Sequence, residues 1–174
     1  MILVLGLGNI LLSDEGIGVW VAESLRRRFE FPQEVTVLEG GTLGLDLLPR
    51  LDGVERLLLI DTVRLGRAPG ELVRLEGEEV PAALDVKVSP HQLGVGDLLA
   101  TARLMGSEPM QVVLWGMEPG RLEPGTGFSE RVNDALPRLE AAVLGELHRW
   151  GVDGRPGEGE GPLPVWWEAP GVWR

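Results

Sequence analysis

The stretch Arg56-Leu57-Leu58-Leu59-Ile60-Asp61 is apolar at four consecutive positions, so a strand built from it is greasy on both faces. A half-exposed strand would alternate. One that is apolar throughout belongs in the middle of a parallel sheet covered on each side. Ile2-Leu3-Val4-Leu5-Gly6-Leu7 reads the same way, bounded by Gly8 and Asn9. Between them, Ile17, Val21, Leu25 and Phe29 recur every fourth residue, which predicts a helix over 16–29. Arg26-Arg27-Arg28 close it, either complementing the helix dipole or forming a docking patch. Val35 to Leu38 is a further strand, followed by a glycine turn at Gly40-Gly41 and a short helix over 44–51.

Beyond Asp61, a strand is expected over 70–75 after the Pro69-Gly70 turn, then an acidic, irregular stretch over 76–88. Ser89-Pro90-His91 breaks the chain and puts His91 in a loop before a helix over 94–105. Gln111 to Trp115 reads as a strand. Thr126 to Ser129 carries a cap signal for a long helix with Val132, Leu136, Leu139, Val143, Leu147 and Trp150 on one face. Pro137 is expected to kink or restart that helix. Strands alternating with helices predict an α/β fold: a parallel or mostly parallel sheet between two helical layers, with sites at the C-terminal strand ends. Residues 1–150 are read as one domain and 151–174 as a Gly/Pro-rich tail, whose Trp166, Trp167 and Trp173 are expected to pack on the domain or a partner.

Composition narrows the chemistry. The 174 residues carry a net charge of −11, no cysteine and two histidines, His91 and His148. That excludes disulfides, thiolate metal sites and a cysteine nucleophile. The negative charge argues against nucleic acid and against an anionic membrane surface. No apolar run approaches the ~20 residues of a membrane helix. The N-terminal apolar run lacks a basic leader and a cleavage site, so a cytoplasmic location without membrane insertion is expected.

Gly6-x-Gly8 after a first strand invites a dinucleotide reading, but Leu11 stands where the third glycine is needed, and Asp14-Glu15 would repel a pyrophosphate. Carboxylates at strand ends say more. Glu15 follows the first strand, Asp61 ends the third and His91 lies beyond a proline; three loops at one sheet edge could unite them as a divalent-metal site with open positions. Plainer readings stand beside this one: Asp14 and Glu15 favouring the helix dipole, Asp61 capping a loop, His91 a satisfied histidine. His148, beside Arg149, reads as a surface histidine. Asp61 could also be the acceptor of a phospho-receiver domain, which would need Lys87, the single lysine, beside it. No G-x-S-x-G elbow supports a serine nucleophile. A non-catalytic metal-binding module remains a further alternative.

Five segments together resemble a known family. They are Leu5-Gly6-Leu7-Gly8-Asn9-Ile10-Leu11-Leu12-Ser13-Asp14-Glu15-Gly16-Ile17-Gly18-Val19, Glu39-Gly40-Gly41-Thr42-Leu43-Gly44, Leu59-Ile60-Asp61, Ser89-Pro90-His91-Gln92-Leu93-Gly94, and Gly116-Met117-Glu118-Pro119 with Leu122-Glu123-Pro124-Gly125. In this order they resemble the endopeptidases that mature the large subunit of [NiFe] hydrogenases, in the branch serving uptake-type membrane-bound enzymes. The resemblance implies a three-layer α/β/α sandwich around a mixed, twisted sheet of about five strands. It implies removal of a C-terminal extension from the large-subunit precursor after nickel insertion. It also implies metal contact by Glu15, Asp61 and His91, with the nickel supplied by the substrate; another divalent ion, cadmium or zinc, could occupy the isolated protein. Glu39 stands where the family usually has Asp, ahead of the substrate loop Gly40-Gly41-Thr42, and a role in cleavage or substrate placement is carried over to it. Two roles for the ion stay open: a Lewis acid or water activator assisted by Glu39, or an anchor that only positions the peptide.

Overall fold

The computed structural model describes residues 1–84 and 90–157, without the side chains of Leu84 and of residues 90–93. Among the described residues, β1 (Ile2–Leu7), β3 (Val35–Gly41), β4 (Arg56–Thr62), β5 (Leu72–Glu76) and β6 (Gln111–Met117) form one sheet in the order β3-β1-β4-β6-β5. The first four are mutually parallel, and β5 lies antiparallel on the edge beside β6. The sheet is therefore mixed, as the family resemblance implied. The fully apolar runs in β1 and β4 take the central positions, where both faces are covered.

Period-2 alternation sorts the core into two layers. Ile2, Val4, Leu58, Ile60 and Val113 face α1 (Ile17–Arg28) and α4 (Glu130–Arg149). Leu3, Leu5, Leu57, Leu59 and Leu114 face the 3₁₀ helix Gly44–Leu51, α2 (Glu79–Leu84) and α3 (Pro90–Met105). This is the three-layer α/β/α sandwich.

Several boundaries differ from the sequence reading, each for a local reason. Glu79–Leu84 is a helix rather than irregular chain, because Val80 docks fully buried into the core while its acidic neighbours face out; residues 85–88, including Lys87, lie outside the described residues. The third helix starts at Pro90, where a missing N–H costs nothing, so His91 sits in its first turn and not in a loop. Gly40 and Gly41 close β3 instead of forming a separate turn. Pro137 leaves α4 unbroken from Glu130 to Arg149; it is on the exposed side, where water can satisfy the carbonyl it abandons. Past Trp150, Val152 is buried and the two-residue strand β7 (Arg155–Pro156) pairs with β2 (Phe29–Glu30) at the end of α1. The tail tryptophans lie outside the described residues.

The glycines of the first loop serve packing. A side chain on Gly18 would fall inside the carbonyl oxygens of Ile60 and Leu7, and one on Gly6 inside the carbonyl of Gly18. The helix backbone therefore lies directly on β1 and β4. Gly8, at φ +123°, makes the turn that a branched residue could not. Gly18→Ala is expected to cost about 3 kcal/mol or more, because backbone and not a flexible side chain must yield. A urea titration would show this as a lowered midpoint with unchanged slope; an unchanged midpoint would contradict the packing account.

Candidate active site

Strand order reverses between β1 and β4: β1 leads leftward through α1 to β3, whereas β4 leads rightward toward β5 and β6. In open α/β sheets such a switch point opens a crevice at the carboxyl ends of the strands. The sequence-predicted residues gather on the elements around it. Glu15 lies in the 3₁₀ turn Ser13–Gly16, which packs against β4 and is 1% exposed. Asp61, next to last in β4, is 0% exposed, and its Oδ1 accepts the Thr62 N–H at 2.7 Å. By alternation it shares the face of Leu57 and Leu59, the face that α3 covers. The start of α3 is drawn in by a backbone contact in which a Cβ built on Gly94 would stand 2.8 Å from the Gly44 Cα. That contact sets the first turn of α3, with His91 in it, beside the loop that follows β3. The His91 side chain itself lies outside the described residues. Among the described side chains, no group of three His, Asp or Glu forms a ready metal cage.

Two further carboxylates hold these loops, and their roles are not legible in the spacing. Asp14 is fully buried and does not serve the dipole of its own helix. Its carboxylate accepts the N–H groups of Gly120 (2.8 Å), Arg121 (2.7 Å) and Ser129 (2.6 Å) and the Ser129 hydroxyl (2.8 Å). The Ser129 side chain thus bonds across the molecule rather than capping α4. Backbone bonds reinforce the join: Ser13 N–H to the Gly125 carbonyl, Gly125 N–H to that of Leu11, and Asp14 N–H to that of Arg121. Glu118 does the same for the loop after β4. Its carboxylate accepts the Leu65 N–H at 2.8 Å, and its carbonyl accepts the Gly70 N–H. The segments Gly116–Pro119 and Leu122–Gly125 therefore brace the loop that leaves β4 beyond Asp61 and the loop that bears Glu15. A signal was available: both are Gly/Pro-rich and belong to the connection that leaves the buried strand β6, where irregular chain needs a partner for its backbone.

Glu39 is not brought onto the Asp61 face. It alternates with Val35 and Val37, which places it toward α1 on the other face of the sheet. There Arg26 lies 3.7 Å from its Oε1. The buried Glu23 accepts Arg26 and Arg27, each at 2.6 Å. Burial, a hydrogen bond shared with Glu23 and the Glu23 charge push Glu39 up to about 7, against the opposing pull of Arg26 and Arg27. Burial also works to raise Glu23, but the bond with Glu39 and the two guanidiniums outweigh it and hold Glu23 below its ordinary value. Arg28 pairs with Glu140, so the triple arginine is an ion-pair cluster rather than a bare basic patch. His148 is an exposed surface histidine, 2.8 Å from Asp153.

The profile of the hydrogenase maturation protease family (HycI) matches residues 19–146. The chain belongs to this family. It is 42% identical over 158 residues to the hydrogenase 2 maturation protease of Escherichia coli (strain K12), covering 90% of this chain and 96% of that relative. The solved structure of the hydrogenase maturating endopeptidase HybD from E. coli superposes with a TM-score of 0.86 at 40% identity, covering 91% of this chain and 99% of that one. The [NiFe] hydrogenase maturation protease HybD from Thermococcus kodakarensis is more distant, with a TM-score of 0.68 at 27% identity over 82% of this chain and 95% of that one. The endopeptidase assignment displaces the receiver-domain reading of Asp61. Within the protease fold, the described helices include none long and apolar enough to cross a membrane.

The Asp14 cross-link decides between two magnitudes. A carboxylate that merely favours a helix dipole contributes about 0.3–1 kcal/mol. One that satisfies several buried donors costs about 3 kcal/mol or more when removed. Asp14→Ala is expected to lower the unfolding free energy by the larger amount and to expose the 120–127 loop to limited proteolysis. A change within the dipole range, with no new cleavage there, would contradict this role.

Proposed function

We propose that the chain removes the C-terminal extension of the nickel-loaded large-subunit precursor of a [NiFe] hydrogenase, using the nickel in the precursor as its recognition element. The observation that carries this reading is the pair of buried carboxylates at the switch point, Glu15 on a braced loop and Asp61 at the end of β4 ahead of another, with the helix that bears His91 in its first turn on the face Asp61 shares. Carboxylates withdrawn from water are costly to keep charged, and a docked cation offsets that cost. Two carboxylates and an imidazole are oxygen and nitrogen donors of intermediate hardness. They suit contact with a nickel ion through its open positions but compete poorly with thiolates for owning it. A precursor without metal offers these groups nothing to hold and is left uncut.

The surroundings suit a polypeptide substrate. Leu11, Leu43 and Leu65, all exposed, stand on the loops after β1, β3 and β4, around the same edge as Glu15 and Asp61. β3 is an edge strand ending in Gly40-Gly41, and Gly41 has open space where a side chain would be. We assign the Gly40-Gly41-Thr42 segment to peptide contact. Because Glu39 faces α1, its service to the reaction is in placing that segment. The ion supplies Lewis acidity to the peptide bond beside it, or anchorage alone, and in either case Glu15, Asp61 and His91 are the residues that meet it.

The test is a cleavage assay read by intact mass. Nickel-loaded precursor should lose a C-terminal peptide, and nickel-free precursor should not. Glu15→Gln and His91→Ala should each slow the reaction on the order of a hundredfold, the equivalent of about 3 kcal/mol of lost interaction. Equal rates with and without nickel, or undiminished rates in both variants, would sink the reading. Tight binding of nickel or cadmium by the protein alone, with no cleavage of either precursor, would favour the non-catalytic module.

A further inference from the structure

We propose that β3 receives the C-terminal extension of the precursor as an added strand, antiparallel to it and bonded to the outward backbone of Val37 and Glu39. This deepens the endopeptidase reading and rests on it. The sheet ends at β3, which has β1 on one side and no described strand on the other. The register fixes which backbone groups face out. The Ile2 N–H donates to the Glu34 carbonyl at 2.7 Å, so Glu34 turns its carbonyl toward β1. Parallel neighbours alternate from there, and Thr36 and Leu38 also turn to β1. Val35, Val37 and Glu39 turn the other way. The Val35 N–H is taken by the Pro32 carbonyl at 3.0 Å. Among the described residues, nothing bonds the backbone N–H or carbonyl of Val37 or of Glu39. They leave a row of donors and acceptors along the outside of the sheet.

Edge strands are ordinarily guarded by charge, proline or a bulge, because an open row of this kind pairs with any extended chain. The opposite edge is guarded: Leu72–Glu76 carries Arg74 and Glu76, and Arg74 pairs with both Glu76 and Glu146. On β3, Val35-Thr36-Val37-Leu38 holds neither charge nor proline, and its pairing with β1 stays in step until it shifts past Glu39. Val37 and Leu38 are only half-buried, whereas their register partners Val4 and Leu5 are fully buried. A further strand would cover Val37 on the α1 face and Leu38 on the other, with apolar side chains of its own at alternate positions beside them. Place and direction select the occupant. β3 ends at the edge that carries Glu15 and Asp61, in the segment assigned to peptide contact, where Gly41 leaves open space. In the proposed reaction the extension begins beside the ion at that edge and leads away from it. A chain that starts at the carboxyl end of β3 and leaves along it runs antiparallel to it.

Amide hydrogen exchange of the full chain, resolved to single residues, tests this with and without nickel-loaded precursor under conditions that stop turnover. The precursor should slow exchange at the Val37 and Glu39 amides about tenfold or more, because a bonded amide exchanges only when its partner leaves. The Thr36 and Leu38 amides, already paired with β1, should not change. A partner resting on side chains alone would not pick out alternate residues. Uniform or absent protection, with the loaded precursor still cleaved once turnover is allowed, would overturn the added strand and leave the proposed function standing. Neither protection nor cleavage would overturn both. Protection of the same amides that grows with protein concentration in the absence of precursor would make a second copy the occupant, and overturn the proposal. Val37→Pro removes an outward donor at a position where an edge strand accepts proline. It should raise KM about fivefold with kcat little changed, the scale of one lost backbone bond. An unchanged KM in the folded variant would overturn the added strand; should that variant fail to fold, the exchange pattern of the unaltered chain decides.

Discussion

The Asp14 carboxylate is the constraint on which the site depends. It gathers three backbone N–H groups and a hydroxyl from the β6–α4 connection, and so welds the loop after β1 to the start of α4. A loop of this kind is normally the softest part of an α/β sheet. Here it is crossed by side-chain and backbone bonds and leads into a helix whose Gly18 rests directly on β1 and β4. The neighbouring residue, Glu15, is consequently buried and held, rather than free to solvate. Glu118 plays the corresponding part for the chain leaving Asp61. A pair of carboxylates can be held ready for a cation only if the backbone carrying them cannot relax into water. Asp14 and Glu118 hold the backbone around these two carboxylates in place.

The parts of the fold legible in the sequence were those governed by short-range periodicity. The apolar runs of β1 and β4 named their own central positions. The spacing of Ile17, Val21 and Leu25 named the buried side of α1, and Val132 through Leu147 that of α4. What escaped was decided by tertiary context. The acidity around Val80 masked a helix that forms only because Val80 has a core to enter. Pro90 read as a break, when a proline serves equally well as a first helical residue. The antiparallel direction of β5 and the pairing of β7 with β2 depend on partners far along the chain, which no local pattern reports.

The candidate site divides along the same line. Glu15, Asp61 and His91 could be singled out because carboxylates and an imidazole at strand ends are chemically conspicuous, and the family pattern then selected them. Asp14 looked like half of an acidic pair beside Glu15, yet its carboxylate is taken up by the backbone hydrogen bonds of the β6–α4 connection. Glu39 could be named from its motif, but its direction could not, because strand alternation assigns a face only once the register of β3 on β1 is known.

The central claim is that Glu15, Asp61 and His91 meet the nickel while the precursor still holds it. Nickel X-ray absorption on the loaded precursor, recorded before and after adding protein under conditions that stop turnover, tests this most directly. The account predicts new oxygen and nitrogen neighbours around the ion with its sulfur ligands retained, and no such change with Glu15→Gln. A spectrum unaltered by the intact protein, or loss of the sulfur ligands as the metal passes to it, would contradict the claim.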